Sequence, residues 1–217
     1  MSRYGNCMSL EPNEFLLELF HTAVDAAQAD QCLAGNWPAL PDGKLRVIAC
    51  GKAAMAMAKA AHQHYGDRAA GLIITPHTHR STAEELPGFQ LMFASHPVPD
   101  QSSVDAAHAA FQLAESLVED DLLLVLMSGG SSALLCMPVA AVSLEAKREV
   151  TRQLLASGAT IQEFNCVRKH LSRIKGGGLA AVCPAPLVTL AISDVPGDDV
   201  ALIGSGPTLR HMSSRAD

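Results

Sequence analysis

The sequence predicts an α/β fold: a doubly wound, mainly parallel sheet with helices on both faces, Rossmann-like in layout. Three observations carry this. Short apolar runs alternate with helical patterns almost throughout. The runs are continuous and apolar, as suits strands buried on both faces. The composition is 48% hydrophobic but only 4% aromatic, so the core must be built from Ala, Leu, Val and Ile, the usual material of helices on a parallel sheet. At 217 residues the chain can bury a substantial core.

Residues 14–32 have helical spacing of Phe15, Leu19, Ala23 and Ala26, with Gly35 and Pro38 after the end. Asp42-Gly43 turns into an apolar strand at 45–50, which Gly51-Lys52 ends, and 53–64 is an Ala/Met-rich helix. A second strand covers 71–75, stopped by Pro76, and a third 90–94. Ser102 or Ser103 caps a helix to about Val118. Residues 121–127 are the strongest strand signal. Ser143 opens a helix that Gly158 closes, and Thr160 with Glu163 has capping-box spacing for the next helix, 161 to about 174. In that helix Val167, Leu171 and Ile174 share a face expected to pack inward, with Asn165, Lys169 (or Arg168), Ser172 and Lys175 opposite. A last strand covers 187–192. No internal repeat or low-complexity linker is visible.

Several function classes are excluded early. The net charge of −6 leaves no excess of cations to neutralise a nucleic-acid backbone. The six cysteines (Cys7, Cys32, Cys50, Cys136, Cys166, Cys183) are scattered, without a Cys-x-x-Cys pair, which argues against a disulfide framework or cysteine-bound zinc. Residues 1–10 carry no apolar run and do not read as a signal peptide. The longest apolar stretch is far short of the roughly 20 residues that span a bilayer. A cytoplasmic protein is expected. His62/His64 and His77/His79 are spaced by two, so neither pair shares a helix face, and metal binding by histidine is not expected.

In an open parallel sheet, ligands collect beyond the carboxyl ends of the strands, and four loops there have unusual composition. Gly51-Lys52-Ala53-Ala54 offers close backbone approach, a helix start and a point charge; a glycine turn with a surface lysine is the plainer reading. It is not a P-loop, since no glycine stands at the required spacing and no Ser or Thr follows Lys52. Ser128-Gly129-Gly130-Ser131-Ser132 combines backbone freedom with three hydroxyls, and consecutive N–H groups in such a loop form an anion-binding concavity. It lacks the Gly-x-Ser-x-Gly elbow of a serine nucleophile. Arg168, Lys169, His170, Arg173 and Lys175, followed by Gly176-Gly177-Gly178, are a local cationic exception in an acidic chain; a solvated basic face at a helix C-terminus is the alternative. Ser193-Asp194-Val195-Pro196-Gly197-Asp198-Asp199 places an aspartate at a strand end, suited to Mg²⁺ with phosphates or to accepting a proton. His96, in Ser95-His96-Pro97-Val98-Pro99-Asp100, joins these as a binding candidate.

Taken in order, Gly51-Lys52-Ala53-Ala54, residues 95–100, Ser128-Gly129-Gly130-Ser131-Ser132-Ala133-Leu134, Asn165-Cys166-Val167-Arg168-Lys169-His170-Leu171-Ser172 with Lys175-Gly176-Gly177, and residues 193–198 with Gly204-Ser205-Gly206-Pro207-Thr208 resemble the N-terminal domain of the glycerate 2-kinase family, whose C-terminal domain is called MOFRL. The resemblance covers 1–208. It implies ATP- and Mg²⁺-dependent transfer of phosphate to the 2-hydroxyl of D-glycerate. It also implies that Lys52 neutralises charge near the reacting phosphate or the glycerate carboxylate. Ser128, Gly129, Gly130, Ser131, Ser132, Lys175, Gly176 and Gly177 would bind nucleotide phosphates or substrate, those of the loops through N–H groups. Asn165 and Lys169 would orient substrate, and Asp194 would serve as metal ligand or base. Such a set suits phosphoryl transfer, which needs chiefly positioning and charge stabilisation.

Family members are about twice this length, and residues 209–217 do not continue the pattern, so the MOFRL domain is expected to be absent and turnover by this chain alone weak. A separately encoded C-terminal domain is then an expected partner. Two other readings stand beside this one. An NAD(P)H-dependent hydroxypyruvate reductase, a label family members have carried, should show Gly-x-Gly-x-x-Gly after the first strand; Gly51-Lys52-Ala53 breaks it. A non-catalytic ligand-binding or assembly module is the third.

Overall fold

The structure, a computed structural model, describes residues 11–210. The expectations for residues 1–10, including Cys7, and for the tail beyond Arg210 lie outside the described residues. Five strands, β1 (Leu45–Cys50), β2 (Ala70–Pro76), β3 (Phe89–Ala94), β4 (Leu122–Met127) and β5 (Leu187–Ala191), form one sheet in the order β3-β2-β1-β4-β5. Every neighbouring pair is parallel. The helices are α1 (Pro12–Ala26), α2 (Ala29–Leu33), α3 (Ala54–Tyr65), α4 (Gln101–Glu115), α5 (Ser131–Leu134), α6 (Leu144–Ser157), α7 (Ile161–His170) and α8 (Gly178–Ala181).

Successive strand residues point to opposite faces, and the two cores follow that alternation. Val47, Ala49, Ile73, Leu124 and Leu126 pack with α2 and α3 on one face. Ile48, Cys50, Ile74, Leu123, Val125 and Met127 pack with α4, α5 and α8 on the other. Interior strand β4 is buried along its whole length, and truncating Leu124 to Ala there would cost about 2–5 kcal/mol. The doubly wound parallel sheet expected from the sequence is the observed fold. Among the described residues, no helix is long and apolar enough to cross a membrane, and Cys32, Cys50, Cys136, Cys166 and Cys183 are free thiols.

Three local expectations are corrected. The helix expected over 14–32 is two helices, because Gln28 turns extended (φ −64°, ψ 148°) and caps α2. Only α2 buries apolar side chains; Phe15, Leu16, Leu17, Leu19 and Phe20 of α1 are exposed. The cap of α4 is Asp100 rather than Ser102 or Ser103: its carboxylate accepts from Ser103 N at 3.3 Å while Ser103 Oγ accepts from Asp100 N at 3.3 Å. Ser103 thus occupies the reciprocal position of a capping box.

The third correction shapes the site. α7 ends at His170, not near 174, because Arg173 N donates to Met137 O at 2.8 Å instead of back along the helix. The chain turns inward there. Asn165, Ser172 and Lys175 are buried, while Val167 and Leu171 are only half-buried. Ile174 is fully buried as expected, so the turn of the chain buries residues of both faces, Lys169 of the polar set remaining half-buried.

Candidate active site

The chain leaves β1 towards β2 and leaves β4 towards β5, so the sheet order reverses between β1 and β4. Beyond the carboxyl ends of these two strands lies the crevice where open α/β sheets hold ligands. Cys50 pairs with Met127, so both strands end level and their loops meet. Ser128 N donates to Cys50 O at 3.0 Å, Lys52 N to Gly129 O at 2.9 Å, and Ala53 N to Ser128 Oγ at 3.0 Å. The approach demands glycine at position 51: φ is +131°, and a Cβ there would stand 2.1 Å from Ser128 Oγ.

The other loops close on the same place. A Cβ on Gly129 would lie 2.2 Å from Asp194 Oδ2; one on Gly130 would lie 3.0 Å from His96 Cδ2, 3.1 Å from its Nε2 and 3.6 Å from Lys52 Cε. Four separate loops thus bring Lys52, His96, Asp194 and the glycine pair into one cradle. Burial and the Lys52 charge push the His96 pKa below its ordinary value, partly offset by Asp194. His96 is therefore neutral near pH 7, able to give or take one hydrogen bond. Among the described residues, the N–H groups of Gly129, Gly130 and Ser132 have no acceptor within the chain. Ser131 Oγ is buried without a hydrogen-bond partner. Converging N–H donors beside a lysine suit an oxyanion.

Next to the cradle lies a polar network. Arg168 Nη2 donates to Ser132 Oγ, and Lys175 Nζ donates to Ser132 Oγ at 3.0 Å, Ser132 O at 2.6 Å and Leu135 O at 3.2 Å. Ser132 Oγ lies 2.8 Å from Ser205 Oγ, which donates to Asn165 Oδ1 at 3.2 Å. The three acceptors around Lys175 match the three protons of an ammonium, against the downward pull of burial and of Arg168 and Lys147 on its pKa. Both cations are donors only. Ser132 Oγ therefore accepts twice and gives its own proton to Ser205, which passes the polarity on to Asn165.

In the Lys175-Gly176-Gly177 segment, expected to bind phosphate or substrate, the glycine N–H groups are paired within the chain. Gly176 N donates to Ser205 O at 3.1 Å and Gly177 N to Gly206 O at 2.8 Å. A Cβ on Gly178 would stand 1.9 Å from Arg173 O. These N–H groups are committed to the 204–208 loop, and the triplet serves close packing. Lys169 lines an open cleft of about 590 Å³ with Arg173, Gly176, Gly177 and Arg210, a lining that includes none of Lys52, His96 or Asp194. Lys147 and Ser205 were not singled out as site residues from the sequence, and Arg168 only as an alternative to Lys169. Lys147 carries a signal: it falls in the α6 stripe with Val150, Thr151 and Leu154, a lysine on the inward-facing spacing.

Among the described residues, no three His, Cys, Asp or Glu side chains gather as a metal site. Asp194 stands alone beside the glycine pair, a donor set that fits Mg²⁺, which takes one or two carboxylates and completes its shell with phosphate and water oxygens.

Residues 15–217 match the family described as Domain of unknown function (DUF4147). The chain is 45% identical over 206 residues to a protein of Agrobacterium vitis named putative hydroxypyruvate reductase, covering 94% of this chain and 46% of that protein. It is 38% identical over 203 residues to the D-glycerate 2-kinase of Thermotoga maritima, covering 93% and 48%. The crystal structure of the Thermotoga maritima glycerate kinase superposes with a TM-score of 0.85 at 38% identity, over 92% of this chain and 48% of that one. The chain spans about half the length of the curated relatives it matches.

Proposed function

This chain belongs to the DUF4147 domain family and is a relative of the glycerate kinases, and we propose on that premise that it carries one side of a cytoplasmic D-glycerate 2-kinase site using MgATP. The observation that supports this best is the convergence of Lys52, His96, Asp194 and the free N–H groups of Gly129, Gly130 and Ser132 at the reversal point of the sheet. Phosphoryl transfer asks little covalent chemistry of a protein and much positioning of charge.

In this reading the loop of residues 128–132 holds phosphoryl oxygens through its N–H groups, and Lys52 offsets the charge that develops on them. Asp194 would hold Mg²⁺, which neutralises phosphate charge when bound. His96, neutral and 3.1 Å from the Cβ position of Gly130, is placed to accept the proton of the attacking hydroxyl. Asn165, oriented through Ser205 and Ser132, turns its amide N–H groups to the substrate. The reductase reading finds less support, because the loop after β1 lacks the second glycine that lets a dinucleotide pyrophosphate approach.

A coupled assay for 2-phosphoglycerate with D-glycerate and MgATP tests the proposal in two arms. This chain alone should turn over weakly. Adding the other half of the Thermotoga maritima relative as a separate polypeptide should restore transfer. Hydride transfer from NADH to hydroxypyruvate, with no phosphoryl transfer in either arm, would overturn it.

A further inference from the structure

Lysine is seldom buried, and when buried it is paired. Lys147 breaks both rules. It is 4% exposed, and its Nζ has no hydrogen-bond partner. Beside it lies a second cation, Arg168, and Lys175 in turn feels both Arg168 and Lys147. Among the described residues no carboxylate pairs with any of the three, and no acidic side chain shifts their titration beyond the two buried thiols.

The three cations are not equivalent. Lys175 spends all three protons on Ser132 O, Ser132 Oγ and Leu135 O. Arg168 spends one N–H on Ser132 Oγ and rests on the Phe164 ring, 5.0 Å from its centroid. Four of its five donors are left. Lys147 spends none. A buried ammonium and a half-buried guanidinium with up to seven free N–H donors, beside a hydroxyl whose lone pairs are already filled, are matched by an anion of more than one charge with several acceptor oxygens.

We propose that Lys147 and Arg168 form a phosphoryl-binding subsite adjoining the glycine loop at Ser132. A tetrahedral phosphate group fits better than a carboxylate, since its charge approaches the two that are unpaired and its oxygens can accept from both side chains. Arg168 meets the group with its planar fork and Lys147 with a point charge. The kinase reading enters only in naming the source of the phosphate; the subsite itself is tested with inorganic phosphate.

The free protein then bears the cost of an unpaired buried charge, as binding sites commonly do. Methionine at position 147 has similar length and no charge. Lys147→Met should therefore melt at higher temperature than the parent when no phosphate is present. It should also bind inorganic phosphate at least tenfold more weakly in calorimetric titration at constant ionic strength set with chloride. A merely structural lysine would not give that opposed pair of changes. The parent chain should bind phosphate saturably and gain stability as binding linkage requires. No saturable phosphate binding by the parent, unchanged affinity in folded Lys147→Met, or failure of that variant to fold would each overturn the subsite. Phosphate binding with no effect of D-glycerate on turnover would leave the subsite standing and remove the glycerate reading.

Discussion

Gly129 and Asp194 share space that only a hydrogen can occupy: a Cβ on the glycine would stand 2.2 Å from the carboxylate Oδ2. Gly129→Ala should therefore push the 193–199 loop off the cradle, at a cost of about 1–3 kcal/mol for the overpacked contact. Gly129→Ala in an Asp194→Ala background should cost much less, because the colliding atoms are gone. Urea unfolding of the four chains measures this coupling; additive effects would show that the two residues do not touch.

Lys52 is exposed on the loop after β1, so its value is chemical rather than structural. Lys52→Met should change stability by no more than about 0.5 kcal/mol. Phosphoryl transfer by the complemented protein should fall on the order of 10²-fold, the scale seen when one charge-stabilising donor is removed. Thermal melts and the coupled assay separate the two effects.

Two buried lysines a short way apart should answer the same substitution with opposite signs. Lys175 satisfies two carbonyls and a hydroxyl, so Lys175→Met strands buried acceptors and should destabilise by about 3 kcal/mol. Lys147 satisfies none, and its methionine variant should melt higher than the parent. Melting curves at fixed pH and salt report both.

His96 has a folded pKa below its ordinary 6.5, first from burial and then from Lys52. The unfolded chain therefore binds the proton more readily than the folded one. The stability contributed by neutral His96 is fully present above pH 6.5 and is lost as pH falls through the folded pKa. Unfolding free energy should rise with pH across the window just below 6.5. His96→Gln should flatten that part of the profile without altering the plateau above it.

The sheet was legible because its strands are continuous apolar runs bounded by glycine or proline, and residues 45–50 and 187–192 became β1 and β5 to within a residue. The cradle was legible for a related reason: Gly51, Gly129 and Gly130 sit where strands end, and no other residue fits those positions. What the residues did not disclose was depth. Asn165, Ser172 and Lys175 fall at helical spacing opposite the apolar stripe, which marks a polar face but not its burial; the turn of the chain at Arg173 buries them. Lys147 was missed because isolated cations are expected at the surface, so its inward spacing carried little weight. The serine at 205 acts through a positive φ of 63° in a short turn, a conformation that sequence spacing does not show.

Ser132 bears a further consequence. Two donor-only cations fill its lone pairs, so its proton, that of Ser205 and the amide of Asn165 each have one arrangement left. Hydroxyls in a polar cleft ordinarily rotate, and a ligand must still them on arrival. Here that ordering is completed during folding. On the function proposed above, a substrate reaching Asn165 would find an amide already set, and would not surrender the rotational entropy of ordering it.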